Sequence, residues 1–192
     1  MTPVSTSSEP TYTAFVGVQR LVTAPLAEVL TQTKAHLDRE SGAPILIFSD
    51  TTGQQRDYDF SGTLDDALNR AVPVTKTGPG RPKLGVVSRE ISLLPRHWDW
   101  LETQRGGASA ALRRLIDEAR KADPEGERRR LATEAAGRFM TVMAGDLPGY
   151  EEASRALYAH DTERLQSLTQ GWPEGVQTHL LYLLDPPFNT SG

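Results

Sequence analysis

The chain lacks cysteine altogether, which excludes disulfide bonds, thiolate metal ligands and a cysteine nucleophile. It also lacks any run of about eighteen apolar residues, the length that would mark a membrane-spanning helix. The segment 1–10 has neither the basic start nor the apolar stretch of a secretory signal. We therefore expect a protein of the reducing cytoplasm with no membrane partner.

Residue patterns for catalysis or metal binding are also absent. Glycines in the N-terminal third are isolated, and none has the spacing of a phosphate-binding loop between a strand and a helix. The adjacent His160 and Asp161 would face different directions on a helix, so we interpret them as a turn or cap. We predict no catalytic residue, no metal site and no cofactor, and hence a non-enzymatic protein. No two of the four histidines have metal-ligand spacing: His36, His97, His160 and His179.

The charge of the chain is unevenly distributed. Hydrophobic residues make up 38% of the sequence and charged residues 24%, which suits a globular protein with a modest core. The formal net charge is -4. Within 76–130, thirteen Lys/Arg stand against eight Asp/Glu, whereas the rest of the chain has eight against seventeen. A basic centre can attract a polyanion locally, although merely solvated basic helix faces would give the same count.

Apolar periodicity and turn residues predict an α+β protein with a small N-terminal α/β unit, a central strand-helix-helix element and a C-terminal helical segment. We expect six segments along the chain: a flexible start (1–11), a small α+β unit (12–72), a basic Pro/Gly linker (73–85), the strand-helix-helix element (86–122), the helical region (127–185) and a tail (186–192). The predicted strands are 12–22 (one or two, with Gly17 as a turn or bulge), 45–48, 55–61 and 86–94. The predicted helices are 25–39, one capped by Thr63, 95–103, 109–121, 127–144, 150–158, 161–168 and 176–184.

The linker contains the basic sequence Gly80-Arg81-Pro82-Lys83. A narrow A·T-rich minor groove has an enhanced negative potential that favours an inserted arginine. Proline keeps the backbone extended, and glycine removes a side chain that would clash in the groove. The sequence resembles an AT-hook, whose core is Gly-Arg-Pro between basic residues, with Lys76 and Lys83 as flanking charges and Pro79 where AT-hooks usually have arginine. A basic linker that makes no DNA contact is the alternative.

The next segment resembles a ribbon-helix-helix domain. A strand candidate at 86–94 ends at Pro95, Gly106-Gly107 separates two helices, and Ser109 can cap the second. The resemblance implies that two chains pair their strands and place the ribbon in the major groove of DNA, with the second helix start at a phosphate. Apolar stripes are predicted for the two helices: Trp98 and Leu101 on the first, and Leu112, Leu115, Ile116 and Ala119 on the second.

The register of the predicted ribbon stays open, because Leu93 and Leu94 are both apolar and break the alternation. Either Ser88, Glu90 and Ser92 face outward, or Arg89 points to DNA. Trp100 cannot share a helical face with Trp98, so we expect it to be exposed or in a dimer contact. The candidate DNA-binding residues are Lys76, Gly80, Arg81, Pro82, Lys83, Ser88, Arg89, Ser92 and Ser109.

Four short stretches make nearly the whole chain similar to one family. They are Gly80-Arg81-Pro82-Lys83-Leu84, Leu94-Pro95-Arg96-His97-Trp98, Gly107-Ala108-Ser109 and Ala144-Gly145-Asp146-Leu147-Pro148-Gly149. The resemblance is to an uncharacterised bacterial family, domain of unknown function 2239. It implies a bacterial cytoplasmic protein and brings no established activity.

We interpret the chain as a homodimeric, non-enzymatic protein that binds double-stranded, preferably A·T-rich DNA, as a transcriptional regulator or nucleoid-associated protein. The alternative is a protein-interaction or antitoxin-like adaptor module that binds a partner through 139–158. An enzyme of unfamiliar type is third. A polar pocket that joins His160, Asp161 and Glu163 to distant polar residues would support it.

Overall fold

The computed structural model describes residues 9–39, 42–71 and 89–185. Unit 1 combines the described residues within Met1–Val74 and Arg128–Gly192, and unit 2 comprises those within Thr75–Glu127. The elements of the described chain are β1 (Thr11–Val16), β2 (Gln19–Pro25), α1 (Leu26–Leu37), β3 (Ile45–Ser49), β4 (Gln55–Arg56), α2 (Leu64–Ala71), α3 (Pro95–Glu102), α4 (Gly107–Ala122), α5 (Pro124–Ala144), α6 (Tyr150–Tyr158), α7 (Thr162–Leu168) and α8 (Glu174–Leu184).

The strands of unit 1 form one antiparallel sheet in the order β2-β1-β3-β4. β1 and β2 make a hairpin whose turn contains Gly17 at a φ of 58°, a left-handed conformation that glycine adopts readily. β1 pairs on its other side with β3, where Ala14 lies opposite Ile47 and Phe15 opposite Leu46. Of the alternatives left open for 12–22, the structure has two strands with Gly17 in the turn. The predicted buried strand at 45–48 is confirmed.

Side-chain alternation gives this sheet two apolar faces. Ala14 and Ile47 belong to a core cluster with Val29 of α1. Phe15 and Phe48 belong to a second cluster that the helices α5 to α8 cover. Helices on both sides of an antiparallel sheet thus bury its apolar residues, and the predicted α+β class is confirmed.

Side chains cap two short helices as the sequence predicts. The Thr63 hydroxyl accepts the Asp66 amide at 3.2 Å while the Asp66 carboxylate accepts the Thr63 amide at 2.9 Å, a reciprocal box that stabilises the first turn of α2. Asp161 accepts the Arg164 amide at 3.0 Å and caps α7. The interpretation of His160 and Asp161 as a turn and cap is confirmed.

The strand predicted over 55–61 is shorter than expected, since β4 contains only Gln55 and Arg56. Arg70 of α2 explains why the chain leaves the sheet. Its guanidinium donates to the carbonyls of Asp59 at 3.0 Å and Ser61 at 2.5 Å. These bonds hold residues 57–61 against α2, so the backbone of this segment forms no ladder with β3.

The helix α5 begins earlier than the sequence predicts. We expected Asp123-Pro124-Glu125-Gly126 to break the chain, yet Pro124 is the first residue of α5. Proline suits a first helical position because its missing N–H would have no intrahelical partner there. The Asp123 carboxylate accepts the Gly126 amide at 2.8 Å. Asp123 alone therefore separates α4 from α5, and the next three residues form the first turn of α5.

Aromatic contacts join the two chain segments of unit 1. The ring of Phe139 on α5 lies 5.5 Å from that of Phe15 and 5.0 Å from that of Phe48, measured between centroids. His179 on α8 lies edge-on to Phe139 at 4.7 Å. The N-terminal sheet and the C-terminal helices, which the sequence places in separate segments, therefore share one core.

A buried polar pair lies beside these rings. His179 is fully buried, and its Nε2 lies 3.5 Å from Asp50 Oδ1, too far for a good hydrogen bond. Burial, with the charge of Arg20, lowers the pKa of His179 to about 3. Burial also raises the pKa of Asp50, against hydrogen bonds from Thr11 and Thr13. Although the two groups are within ion-pair range, burial keeps the imidazole neutral at pH 7.

Replacing Gly53 by alanine should lower the free energy of unfolding of unit 1. Gly53 has a φ of 66°, and a Cβ there would lie 1.9 Å from the carbonyl oxygen of Ala135 on α5. Backbone against backbone cannot relax by a rotamer change, so we expect a loss of about 3 kcal/mol or more in the free energy of unfolding. Urea denaturation followed by circular dichroism measures it. Gly42→Ala, at a position with open space for a Cβ, is the control, and equal stability of the two variants would contradict the close approach.

Replacing His179 by phenylalanine should change the pH dependence of stability. Between pH 6.5 and about 3 the unfolded chain binds a proton that the buried imidazole does not, so wild-type stability falls as the pH falls. The raised pKa of Asp50 acts in the opposite direction, because the native carboxyl holds its proton to higher pH. The difference between wild type and His179→Phe isolates the histidine and should grow by up to about 1.4 kcal/mol per pH unit below pH 6. Chemical denaturation at several pH values measures this difference. If the free energies of unfolding of the two proteins changed in parallel with pH, the imidazole would not be held neutral.

Candidate functional site

The predicted DNA contacts fall partly outside the described residues. Lys76, Gly80, Arg81, Pro82, Lys83 and Ser88 lie outside them, so the Gly-Arg-Pro sequence stays a prediction. Arg89, Ser92 and Ser109 lie in unit 2, and all three are exposed.

The predicted central strand has no partner within the described chain. Residues 89–94, the described part of the predicted 86–94 strand, have no strand pairing, and all except Leu93 are exposed. The alternation of a sequence favours an extended backbone, but a strand also needs a neighbour for its hydrogen bonds. No described strand of the chain pairs with these residues, so they form no ladder within the described chain, and pairing with a second chain stays a prediction.

α3 follows the sequence closely. Pro95 is its first residue, after Leu94 in an extended conformation with φ -65° and ψ 148°. Leu101 is buried, Trp98 is half-buried, and the side chain of Trp100 is 49% exposed. The predicted stripe of Trp98 and Leu101 and the predicted exposure of Trp100 are confirmed.

Two left-handed glycines connect α3 to α4. Gly106 has a φ of 88° and Gly107 a φ of 74°, values that residues with a Cβ rarely adopt. Gly106 is the N-cap of α4, and no side chain caps that end. The prediction that Ser109 caps this helix is wrong, because α4 already begins at Gly107 and places Ser109 inside its first turn.

α4 buries little of its predicted apolar stripe. Ala111 is its buried residue, and every residue of 113–122 is exposed. Leu115 is 40% exposed and Ile116 56%. In the described part of unit 2, Leu101 and Ala111 are the buried apolar residues. This helical hairpin therefore has a very small core of its own.

The described part of unit 2 is not basic by itself. Residues 89–127 contain seven Lys/Arg and eight Asp/Glu. The positive balance of the central segment depends on Lys76, Arg81 and Lys83 before this range and on 128–130 after it. Any attraction of this region for a polyanion must therefore come mainly from those flanking residues.

Unit 1 contains a pocket of about 270 Å³ between its C-terminal helices. Ala156, Leu157, Leu165 and other apolar residues line part of it, and its polar residues are Arg129, Thr133, His160, Asp161 and Thr162. Such a mixed lining could accommodate a small polar molecule.

His160 has a strained backbone at the edge of this pocket. Its φ of 56° is the one positive value for a residue other than glycine within the described ranges. Its Nδ1 lies 3.3 Å from the Thr133 hydroxyl. The condition for the enzyme interpretation is met in part, since the pocket joins His160 and Asp161 to polar residues of α5, but Glu163 does not line it. The imidazole also lacks an orienting acid, because Asp161 instead accepts an α7 amide.

Sequence reasoning missed two arrangements that depend on tertiary contacts. Asp50 and His179 are far apart in the chain, and neither has a local signal beyond being polar. Thr133 and Arg129 belong to the pocket because α5 packs on α6, which a helical periodicity does not reveal. The histidine-aspartate pair at 160–161 was the available signal for the pocket.

The described residues form neither a metal-binding cluster nor a membrane-spanning helix. Among residues 9–39, 42–71 and 89–185, no group of three or more His, Asp or Glu side chains is placed to hold a metal ion. None of the helices in these ranges combines the length and apolar character needed to cross a membrane.

Comparison with known proteins identifies the family. Residues 11–184 match a family described as "Uncharacterized protein conserved in bacteria (DUF2239)". No curated protein and no solved structure matches the chain. The family match covers most of the sequence, both units included, and agrees with the resemblance seen in the four short stretches. The chain therefore belongs to the DUF2239 family of uncharacterised bacterial proteins.

Proposed function

We propose that this protein binds double-stranded DNA through its central segment and has no enzymatic activity. A transcriptional regulator or nucleoid-associated protein of the bacterial cytoplasm would use such binding. The observation that supports the proposal most directly is that a basic Gly-Arg-Pro sequence leads into an exposed segment, 89–94, and a helical hairpin.

Arg81 is the proposed minor-groove contact. The guanidinium of an arginine is attracted to the negative potential of a narrow A·T-rich groove. Glycine and proline beside the arginine are residue types that favour a slim, extended backbone, as the proposed contact requires. Lys76 and Lys83 would contact the phosphates on either side, which adds affinity with little sequence preference.

The hairpin of unit 2 is the proposed second contact. Arg89 and Ser92 are exposed on the approach to α3 and can reach a phosphate or base edge. The start of α4 has no side-chain cap, so its amide N–H groups and the nearby Ser109 hydroxyl can donate to a phosphate. Because the described part of unit 2 has no basic excess, we assign the larger share of the affinity to Arg81 and its neighbours.

Fluorescence anisotropy with labelled duplexes tests the minor-groove contact. We expect Arg81→Ala to weaken binding to an A·T-rich duplex about tenfold, because a base-groove arginine contributes on the order of 1–3 kcal/mol. Lys83→Ala should weaken binding to A·T-rich and G·C-rich duplexes equally. It should also lower the slope of log affinity against log salt concentration by the amount expected for about one phosphate contact. Arg155→Ala, which removes the same charge from an exposed position on α6 of unit 1, should leave both affinities unchanged.

Two results would count against this proposal. Equal affinity of wild type and Arg81→Ala at low salt would remove the role of Arg81. No measurable binding of wild type to any duplex at low salt would remove DNA binding itself.

A protein-interaction or antitoxin-like adaptor is the second candidate, and the exposed apolar residues of α4 favour it. The segment 139–158 offers less than expected, because Phe139 and Met140 are buried while Val142 and Tyr158 are exposed. Co-purification of one stoichiometric partner protein without nucleic acid, seen as a low ratio of absorbance at 260 and 280 nm, would favour this candidate over DNA binding.

A further inference from the structure

The pocket of unit 1 has a polar rim above an apolar floor. Residues of α5, α6, α7 and α8 line it, together with the turn at 160–161. Ala156, Leu157 and Leu165 form the floor, and each is between 1% and 3% exposed. Arg129 and His160 lie at the rim and are exposed. Such a cavity suits a ligand that has an apolar body and one polar end.

Arg129 supplies the rim with a positive charge that the protein leaves unpaired. It is the one arginine or lysine among the described residues that line the pocket. Arg130 and Arg138 of the same helix both pair with Glu134, whereas Arg129 has no hydrogen-bond or ion-pair partner within the described ranges. A planar guanidinium binds a carboxylate through two parallel hydrogen bonds. The rim therefore favours a ligand with an anionic end.

The other polar groups of the rim are mainly hydrogen-bond donors. Thr133 lies one helical turn after Arg129 on the same face of α5 and is only 5% exposed. The contact of its hydroxyl with His160 Nδ1, at 3.3 Å, is long for a hydroxyl hydrogen bond, so the hydroxyl can turn towards a closer acceptor. The acid of the lining, Asp161, already accepts the Arg164 amide at 3.0 Å. A ligand that accepts hydrogen bonds therefore matches the rim better than one that donates them.

The volume of the pocket limits the size of the ligand. A cavity of about 150 Å³ holds a benzene molecule, so by proportion a cavity of about 270 Å³ holds roughly ten non-hydrogen atoms. A carboxylate carries a single charge, which one guanidinium can balance. The remaining atoms would form a hydrocarbon body, such as a phenyl ring or a branched alkyl chain, against the apolar floor.

We propose that this pocket binds a small carboxylate with an apolar body. Arg129 binds the carboxylate, the Thr133 hydroxyl donates to it, and Leu157 and Leu165 contact the body. Binding requires no chemical step. The site belongs to unit 1 alone, so the proposal does not depend on DNA binding.

NMR titration of the ¹⁵N-labelled full chain tests the site and the charge of its ligand. We expect phenylacetate and 4-methylpentanoate to shift the amide signals of Thr133, His160 and Leu165 with a Kd on the order of 1 mM or tighter. Phenylacetamide has the same size and shape as phenylacetate but no charge, so it should bind at least about tenfold more weakly. If neither carboxylate shifts these signals, or if the amide binds as tightly as phenylacetate, the proposal is wrong.

Arg129→Gln tests the anchoring residue, and Arg39→Gln is its matched control. Arg39 is also exposed, and it follows α1 on the opposite face of the sheet. We expect Arg129→Gln to weaken phenylacetate binding about tenfold and to leave phenylacetamide binding unchanged, because the neutral ligand makes no ion pair. Arg129→Lys should retain part of the affinity through its charge. Arg39→Gln should bind both ligands like wild type, and an equal effect of the two glutamine variants would exclude Arg129 as the anchor.

Ala132→Leu tests the apolar part of the pocket. Ala132 lines the pocket and is only partly buried, so a larger side chain there should occupy the cavity without disturbing the helicity seen by circular dichroism. We expect this variant to lose binding of phenylacetate and phenylacetamide alike. A folded Ala132→Leu variant that binds phenylacetate as tightly as wild type would show that the ligand lies elsewhere.

Discussion

The contact of Phe139 with Phe15 and Phe48 is the interaction on which the rest of unit 1 depends. It joins a sheet made by the N-terminal residues to a helix made by residues far along the chain, with ring centroids 5.5 Å and 5.0 Å apart. Loss of a buried phenylalanine costs about 3–5 kcal/mol, a large share of the total stability of an ordinary domain. Because α5 is fixed by this contact, the β3-β4 turn can approach it so closely that only a glycine fits at position 53. The same packing encloses His179, whose ring lies among the three phenylalanine rings. Both ring nitrogens of His179 are buried without a hydrogen-bond partner among the described residues.

The described part of unit 2 is under the opposite constraint, since its helices α3 and α4 bury only Leu101 and Ala111 as apolar residues. A hairpin of this size buries too little apolar area to offset the conformational entropy lost on folding. Natural domains of similar size obtain the missing stability from metals, disulfides or association. The absence of cysteine excludes disulfides, and no described cluster suits a metal ion. The described part of unit 2 therefore has neither of these means of stabilisation, and the exposed residues of α4 have no covering layer within it.

Much of the fold could be predicted from local signals. Pro95, the periodic Trp98 and Leu101, and the left-handed glycines at 106 and 107 are features that act within a few residues, and they place α3 and α4 within two residues of the observed bounds. The strand at 86–94 could not be predicted in the same way. Alternation indicates which side chains share a face, but the partner strand determines whether a ladder forms, and no described strand supplies one. Asp50 and His179 illustrate the same limit for a buried site, because only the packing of α8 on the sheet brings them together.

A single Gly-Arg-Pro contact inserts few atoms into the groove, so the proposed binding through Arg81 alone would be weak and would lose most of its affinity as salt rises. The described part of unit 2 has no basic excess, with seven Lys/Arg against eight Asp/Glu, so it would add few phosphate contacts. The proposed sequence preference and the proposed affinity would then have different origins. The preference for A·T-rich sequence would depend on Arg81, whereas the affinity would depend on the phosphate contacts of Lys76 and Lys83 and would fall with salt.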